Sequence, residues 1–321
     1  GTPIQRAMPG KVLRWAHGEV KQIAEYSLYA PMRSEDPASA LRGKLTDAIV
    51  RRIPHDGPIS AFLSGGLDSS AIVLLAQDHV TAEIKGLLRT YSLIFPEHKD
   101  MDELRFINDV LDTGKFDSRF VELVGQDPFA NIRAQFYEQD GFTNVPGLFR
   151  FRVAYRLAFS QNARVILDGH GGDEAVGYGF EIFPKLVREG QLGRVALLLR
   201  AAVRQTGQNW TTVYLHLLEN YHQGRVKTRV LKRLLRPLAS HTSSAPRNAE
   251  IRERFLRPDF LSKHSEFFRE YSKARNPPCK SYADAFFCEV TSDYKRSVHE
   301  AFHNAATRHG IYLAFPISDR D

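Results

Sequence analysis

The chain has little cysteine: only Cys279 and Cys288 among 321 residues. They form neither the paired C-x-x-C spacing of a zinc site nor a disulfide framework, so they read as packed thiols in a reducing compartment. No apolar run approaches the ~20 residues that a membrane span needs. The opening GTPIQRAMPGKV has no signal-peptide core and no initiating methionine. The expectation is a cytoplasmic segment of a longer protein, with no membrane partner. Internal repeats and low-complexity tracts are also lacking. The formal charge of +7 suits an anionic partner, but a nucleotide, an RNA or a solubility bias would each account for it. With 43% apolar residues, what is left is a globular chain long enough for one large domain or two ordinary ones.

Strand and helix signals alternate along the first half. After an irregular arm over 1–35, SEDPASALRGKLTDAIVRRI reads as a helix, with Asp36 as N-cap, Pro37 at the first helical position, and Leu41, Leu45 and Ile49 repeating every four residues. PISAFL (58–63), LLRTYSLIF (87–95), SRFVEL (118–123) and ARVILD (163–168) read as strands. DSSAIVLLAQ (68–77), DELRFINDVLD (102–112) and a stretch over about 147–160 read as the helices between them. Such alternation predicts an open parallel sheet with helices on both faces, here over 36–175. Strand signals vanish after about 176, and 176–321 reads as a large added C-terminal helical region with a surface loop at HTSSAPRNAE (241–250).

The most informative stretch is AFLSGGLDSSAIVLL (61–75). Two glycines and three serines between a strand and a helix converge backbone N–H groups on the helix N-terminus, which makes an anion site. The loop is not a Walker A motif, because it lacks the GK[ST] ending and its lysine. A second stretch, ILDGHGGDEA (166–175), places acidic residues and a histidine among three glycines after the fourth strand. Ligands of open α/β sheets bind beyond the carboxyl ends of strands where the winding reverses. The strand order 3-2-1-4 would set Asp68 and Asp173 side by side there: two carboxylates for a hard cation, facing N–H donors for phosphate.

Ser64-Gly65-Gly66-Leu67-Asp68-Ser69-Ser70 resembles, residue for residue, the pyrophosphate loop (PP-loop) of the ATP pyrophosphatases, most closely that of the asparagine synthetase family. LDGHGGDEAVGYG is similar to that family's second signature, G-x-G-G-D-E. IQRAMPGKVLRW looks like the segment joining its glutaminase and synthetase domains, and AATRHGIYLAFPISDRD (305–321) like its late R-x-P-F-L-D segment, with Asp319 at the aspartate. The resemblance implies an adenine nucleotide alpha hydrolase-like fold preceded by a glutaminase-like domain. It implies an ATP-dependent carbon–nitrogen ligase that activates a carboxylate as an acyl-adenylate, releases pyrophosphate, and releases AMP when an amine attacks. ATP and Mg2+ are the implied cofactors. Aspartate or a peptide is the implied carboxylate, with an amine or ammonia as donor.

Carried over by motif, the amides and hydroxyls of Ser64, Gly65, Gly66, Ser69 and Ser70 hold pyrophosphate, and Asp68 and Asp173 hold magnesium. Phe62, Leu63 and Leu93 line the adenine; Asp168 and Gly169 border the ribose. His170, Asp173 and Glu174 are the implied catalytic residues. Position 170 is usually acidic in the family, where it helps deprotonate or orient the amine. A histidine there suggests a general base, or a ring that simply hydrogen-bonds to a phosphate or an acid.

Ala314 stands where the family carries an arginine, and the lysines that the family sets against the acyl-adenylate are expected beyond Asp321. Without an N-terminal cysteine nucleophile, this segment is not expected to hydrolyse glutamine. The insertion beginning REGQLGRV and the R-H-G-I approach to the last motif resemble natural-product relatives, lasso-peptide cyclases among them, whose substrate is a precursor peptide.

Other readings compete. HEAFHNAATRH (299–309) matches H-E-x-x-H, but Ala306 replaces the turning glycine and all three methionines precede the motif, so no Met-turn follows. GRVKTRVLKRLLRPLA (224–239) reads as a docked helix with a basic rim, or as a surface for an acidic peptide or RNA. A tRNA-modifying PP-loop enzyme would lack its thiolation cysteines here, and nucleic acid is not the expected partner. A non-catalytic nucleotide-binding subunit would suit the departures at Ala314 and His170, but not the intact Ser64–Ser70 loop and Asp173.

Overall fold

The computed structural model describes residues 7, 11–25, 34–54, 58–80, 86–99, 101–125, 127, 129, 132–141, 145, 147–175, 182–214, 256–268, 270 and 291–319. Cys279, Cys288, the basic stretch 224–239 and the loop 241–250 lie outside the described residues.

The chain divides into two units, the first made of Gly1–Ala175 with Val290–Asp321, the second of Val176–Glu289. A five-stranded parallel sheet organises the first. Its strands are β3 (Ile59–Phe62), β4 (Leu88–Ile94), β5 (Phe116–Glu122), β6 (Val165–Leu167) and β7 (Tyr312–Ala314), in the order β5-β4-β3-β6-β7. The expected order of the first four strands therefore holds, and winding reverses between β3 and β6. The fifth strand was not expected: the segment 290–321, read as part of the helical region, returns to pair Leu167 with Ala314 at the sheet edge.

Period-2 alternation sorts the strand residues onto two apolar faces. Ile59, Ala61, Leu63, Leu88, Leu167 and Ala314 pack with α1 (Pro37–Val50), α2 (Leu67–His79) and α3 (Leu104–Leu111) through Ile49, Ile72, Val73 and Ile107. Phe62, Tyr91, Val121, Ile166 and Leu313 pack on the other face with α5 (Leu148–Ser160) through Ala154, Tyr155 and Ala158. The helix Asp293–Arg308 joins that face through Ala301, Phe302 and Ala305. In both cores each fully buried large apolar side chain is worth about 1.5–3 kcal/mol.

Local signals explain the helix starts. Asp36 caps α1 by accepting from Ser39 N–H at 3.2 Å, with Pro37 as the first helical residue. A short helix, α4 (Ile132–Glu138), precedes α5. The arm read as irregular instead contains an antiparallel hairpin, β1 (Lys11–Ala16) and β2 (Glu19–Glu25). Its two-residue turn sets His17 at φ 53° and Gly18 at φ 79°, the left-handed pair that a tight hairpin requires.

In the second unit, α7 (Phe183–Arg188) and α8 (Leu192–Thr206) close a small core of Phe183, Leu186, Val195, Ala202 and Val213. Gly207, at φ 65°, ends α8 in the left-handed conformation that glycine favours. A further helix, α9 (Pro258–Lys263), follows later in this unit. The helix Asp293–Arg308 of the first unit is α10. No described helix is long and apolar enough to cross a membrane.

Candidate active site

The carboxyl ends of β3 and β6 each run into a glycine-bearing loop. After β3, the chain turns through Ser64-Gly65-Gly66 into α2. Gly65 takes φ +82°, and an added Cβ would lie 2.7 Å from Phe106 Cβ and 2.9 Å from the Ile107 nitrogen, so the loop runs against α3 where only glycine fits. The serines hold the turn. Ser69 Oγ accepts from Ser64 N–H at 3.2 Å and donates to the Gly66 carbonyl at 3.1 Å; Ser70 Oγ donates to the same carbonyl at 2.7 Å; Gly66 N–H donates to Ser64 Oγ at 3.3 Å. The Ser69 and Ser70 hydroxyls are thus engaged with the loop itself. The first turn of α2 then offers N–H groups that have no carbonyl four residues back within the helix.

The loop after β6 closes onto this turn. An added Cβ at Gly169 would lie 2.9 Å from the Ser69 nitrogen, and one at Gly172 would overlap the Asp68 carboxylate. Gly172 opens α6 (Gly172–Ala175), which carries Asp173. Burial, then the charge of Asp173, raises the pKa of Asp68 above the ordinary carboxylate range. The two acids brought together by the strand order therefore repel one another, a field that a divalent cation would relieve. Two hard oxygen donors beside the N–H groups of a helix N-terminus have the chemistry that would suit magnesium. The Glu174 side chain lies outside the described residues.

Behind the loop sits a polar cluster in aromatic walls. The Asp168 carboxylate is buried, 2% exposed, and one oxygen accepts from both His170 N–H at 2.8 Å and His170 Nδ1 at 2.5 Å. Its other oxygen is buried with no partner among the described residues. The His170 ring lies 4.2 Å from Phe302 and 5.7 Å from Phe151, centroid to centroid. Burial disfavours the imidazolium, but the charge and hydrogen bond of Asp168, helped by Asp173 and opposed by Lys295, outweigh it and raise the His170 pKa. The ring is thereby held toward its protonated form.

Among the adenine-side residues, Phe62 is buried edge-on to Phe151 at 5.6 Å and Leu93 is half-buried against the same cluster. Leu63 is 1% exposed on the opposite face of the sheet, so its side chain serves the core. Ala314 lies in that core too, 2% exposed, while its carbonyl accepts from Asp168 N–H at 2.8 Å. Asp319 pairs with Arg52 and, at 3.3 Å, with Arg51 at the end of α1.

Two site residues escaped the sequence reading as such: Lys295 and His299, one turn apart on α10. Burial lowers the Lys295 pKa, against an opposing pull from Asp173. The His299 ring stacks on Phe315 at 4.6 Å and 6°, and its Cε1 would lie 3.5 Å from a Cβ at Gly171. Burial, then the charge of His170, lowers the His299 pKa. The i,i+4 spacing of Lys295 and His299 was the available signal, but their relation to β6 depends on the late return of the chain. The H-E-x-x-H match does not gather: His303 lies edge-on to Tyr312 at 5.5 Å, and among the described residues no three His, Cys, Asp or Glu side chains could hold a metal.

Comparison with known proteins agrees with this geometry. The chain is 42% identical over 64 residues to the glutamine-hydrolysing asparagine synthetase 3 of Bacillus subtilis (strain 168), covering 20% of this chain and 10% of that protein. It is 26% identical over 167 residues to amidase chry2 of Gibberella zeae (47% of this chain, 24% of that protein). It is also 26% identical over 165 residues to the glutamine-hydrolysing asparagine synthetase 2 of Arabidopsis thaliana (50% and 28%). The matches thus span between 10% and 28% of these relatives' own lengths. The asparagine synthase family profile matches residues 40–321, from within α1 to the last residue. With that match across most of its length, the chain belongs to the asparagine synthase family.

Proposed function

We propose that this chain is an ATP-dependent, AMP-forming carbon–nitrogen ligase. The observation that carries the reading is the opposition of two loops at the carboxyl ends of β3 and β6: the N–H groups opening α2, and the acids Asp68 and Asp173. In the first step a substrate carboxylate oxygen attacks the α-phosphorus of ATP. The bond to the β-phosphate oxygen breaks and pyrophosphate leaves, held by the amides of Gly65 and the first turn of α2. Mg2+, held by Asp68 and Asp173, would neutralise charge on the leaving pyrophosphate. In the second step an amine forms the N–C bond at the acyl carbon and AMP departs with the electrons of the broken C–O bond.

Adenylation is needed because a carboxylate is a poor electrophile with a poor leaving group. The Ser64 and Ser69 hydroxyls, 3.0 Å apart, keep the loop in shape, while backbone N–H groups do the binding. Asp168 anchors His170 and with it the loop that carries Asp173. Aspartate with ammonia is the first substrate pair to test, because relatives bear the name asparagine synthetase. A peptide carboxylate with an internal amine is the second.

ATP–pyrophosphate exchange tests this with L-aspartate, L-glutamate and a short peptide bearing a free aspartyl side chain as probes. Exchange with at least one probe, reduced at least about 100-fold in Asp68→Asn, is expected. Absence of exchange with all of them would overturn the ligase reading.

A further inference from the structure

Resting on the ligase reading, we infer that His299 is the catalytic base of the second step, the group that accepts the proton shed by the attacking amine. Its ring is fixed in place by the parallel stack on Phe315 and lies against Gly171, between the residues that carry His170 and Asp173. The ring is half-buried, and among the described residues neither of its nitrogens has a hydrogen-bond partner. A base needs an available lone pair within reach of the reacting nitrogen.

The neighbouring imidazole is held differently, walled by Phe302 and Phe151. His170 Nδ1 is engaged by Asp168, whose charge favours the imidazolium. The two histidines of the cluster are thereby shifted in opposite directions, His170 upward and His299 downward. The groups facing His299 are His170 and Asp168 from the β6 loop and Lys295 from its own helix. The two cations disfavour its protonation and Asp168 favours it, with burial the largest influence and the net direction downward. From the segment after β7 it meets Phe315, which adds no charge.

The step balances as follows. The lone pair of a neutral amine forms the N–C bond at the acyl carbon of the adenylate, leaving the nitrogen positively charged. His299 takes one proton from that nitrogen, the C–O bond breaks, and AMP leaves with its electron pair. The protonated His299 then returns its proton to solvent.

The test compares two rates in the full chain. ATP–pyrophosphate exchange, with the probe carboxylate that supports it, reports activation; AMP release on adding ammonium chloride reports amine attack. In His299→Ala the ratio of AMP release to exchange is expected to fall about 100-fold, within the usual range for a general base, and imidazole in the buffer is expected to restore part of it. His299→Gln, which keeps a planar polar side chain, is expected to show the same fall and to keep only the rise of AMP release with pH that ammonium deprotonation gives, without the inflection of a titrating histidine. A wild-type ratio in both variants, or equal loss of both rates without imidazole rescue, would overturn the assignment and leave the ligase reading standing. Absence of exchange in the wild type would overturn that reading itself, and this inference with it.

Discussion

The Asp168–His170 pair is where local chemistry departs most from what its motif suggests. A histidine among acidic residues looks like a base, and the position of one buried carboxylate both orients its ring and raises its pKa. That carboxylate was legible only as part of a motif; its burial comes from β6 and β7, which pair beneath it. The His170 pKa is raised above its ordinary 6.5 in the fold, so the pair's stabilisation is complete below about pH 6.5 and is lost as pH rises through the raised value. In Asp168→Asn the His170 ring should titrate below its wild-type value by histidine NMR, and the variant should lose less stability than the wild type as pH rises through that range. An unshifted titration would mean the hydrogen bond is not formed. Gly65 gives a second residue-scale prediction. At φ +82° and pressed on α3, Gly65→Ala should destabilise by at least about 1–2 kcal/mol, from the left-handed backbone cost alone, in a denaturant titration.

At the scale of elements, the four strands and the helices α1, α2, α3 and α5 were legible because each carries enough periodic apolar residues to declare its face. The exceptions share a physical cause. β7 is three residues, Tyr-Leu-Ala, too short to show alternation, and it becomes a strand only because β6 offers it an open edge. The β1–β2 hairpin leaves Leu13, Trp15, Val20 and Ile23 exposed, so no buried face imposes a pattern on its sequence. What holds the return of the chain is partly Asp319, clasped by Arg51 and Arg52 at the end of α1. The carboxylate is mostly buried, so Asp319→Asn removes more than an exposed ion pair would, about 1–3 kcal/mol. Chemical denaturation should show that loss, with an Arg52→Gln background reducing the additional effect of Asp319→Asn. Fully additive losses would mean the clasp contributes nothing as a pair.

Across the whole molecule, function and stability pull against each other at the sheet's winding reversal. The chain leaves this unit after Ala175 and returns at Val290, yet both ends of that excursion serve one cluster: Asp68 and Asp173 on one side, Lys295 and His299 on the other. Asp68 is disfavoured as a carboxylate by both burial and Asp173. Such repulsion between two carboxylates at the carboxyl ends of the strands is a usual mark of a site kept for a ligand. Asp68→Asn should therefore raise the melting temperature of the nucleotide-free protein, because it removes the repulsion and keeps the shape. The same variant should abolish any upward shift on adding Mg2+ with ATP, which the wild type should show through preferential binding to the folded state. Differential scanning fluorimetry of the two proteins, with and without Mg2+ and ATP, reads both effects at once. A variant less stable than the wild type, yet still stabilised by the added pair, would mean that Asp68 is structural and that the cation is held elsewhere.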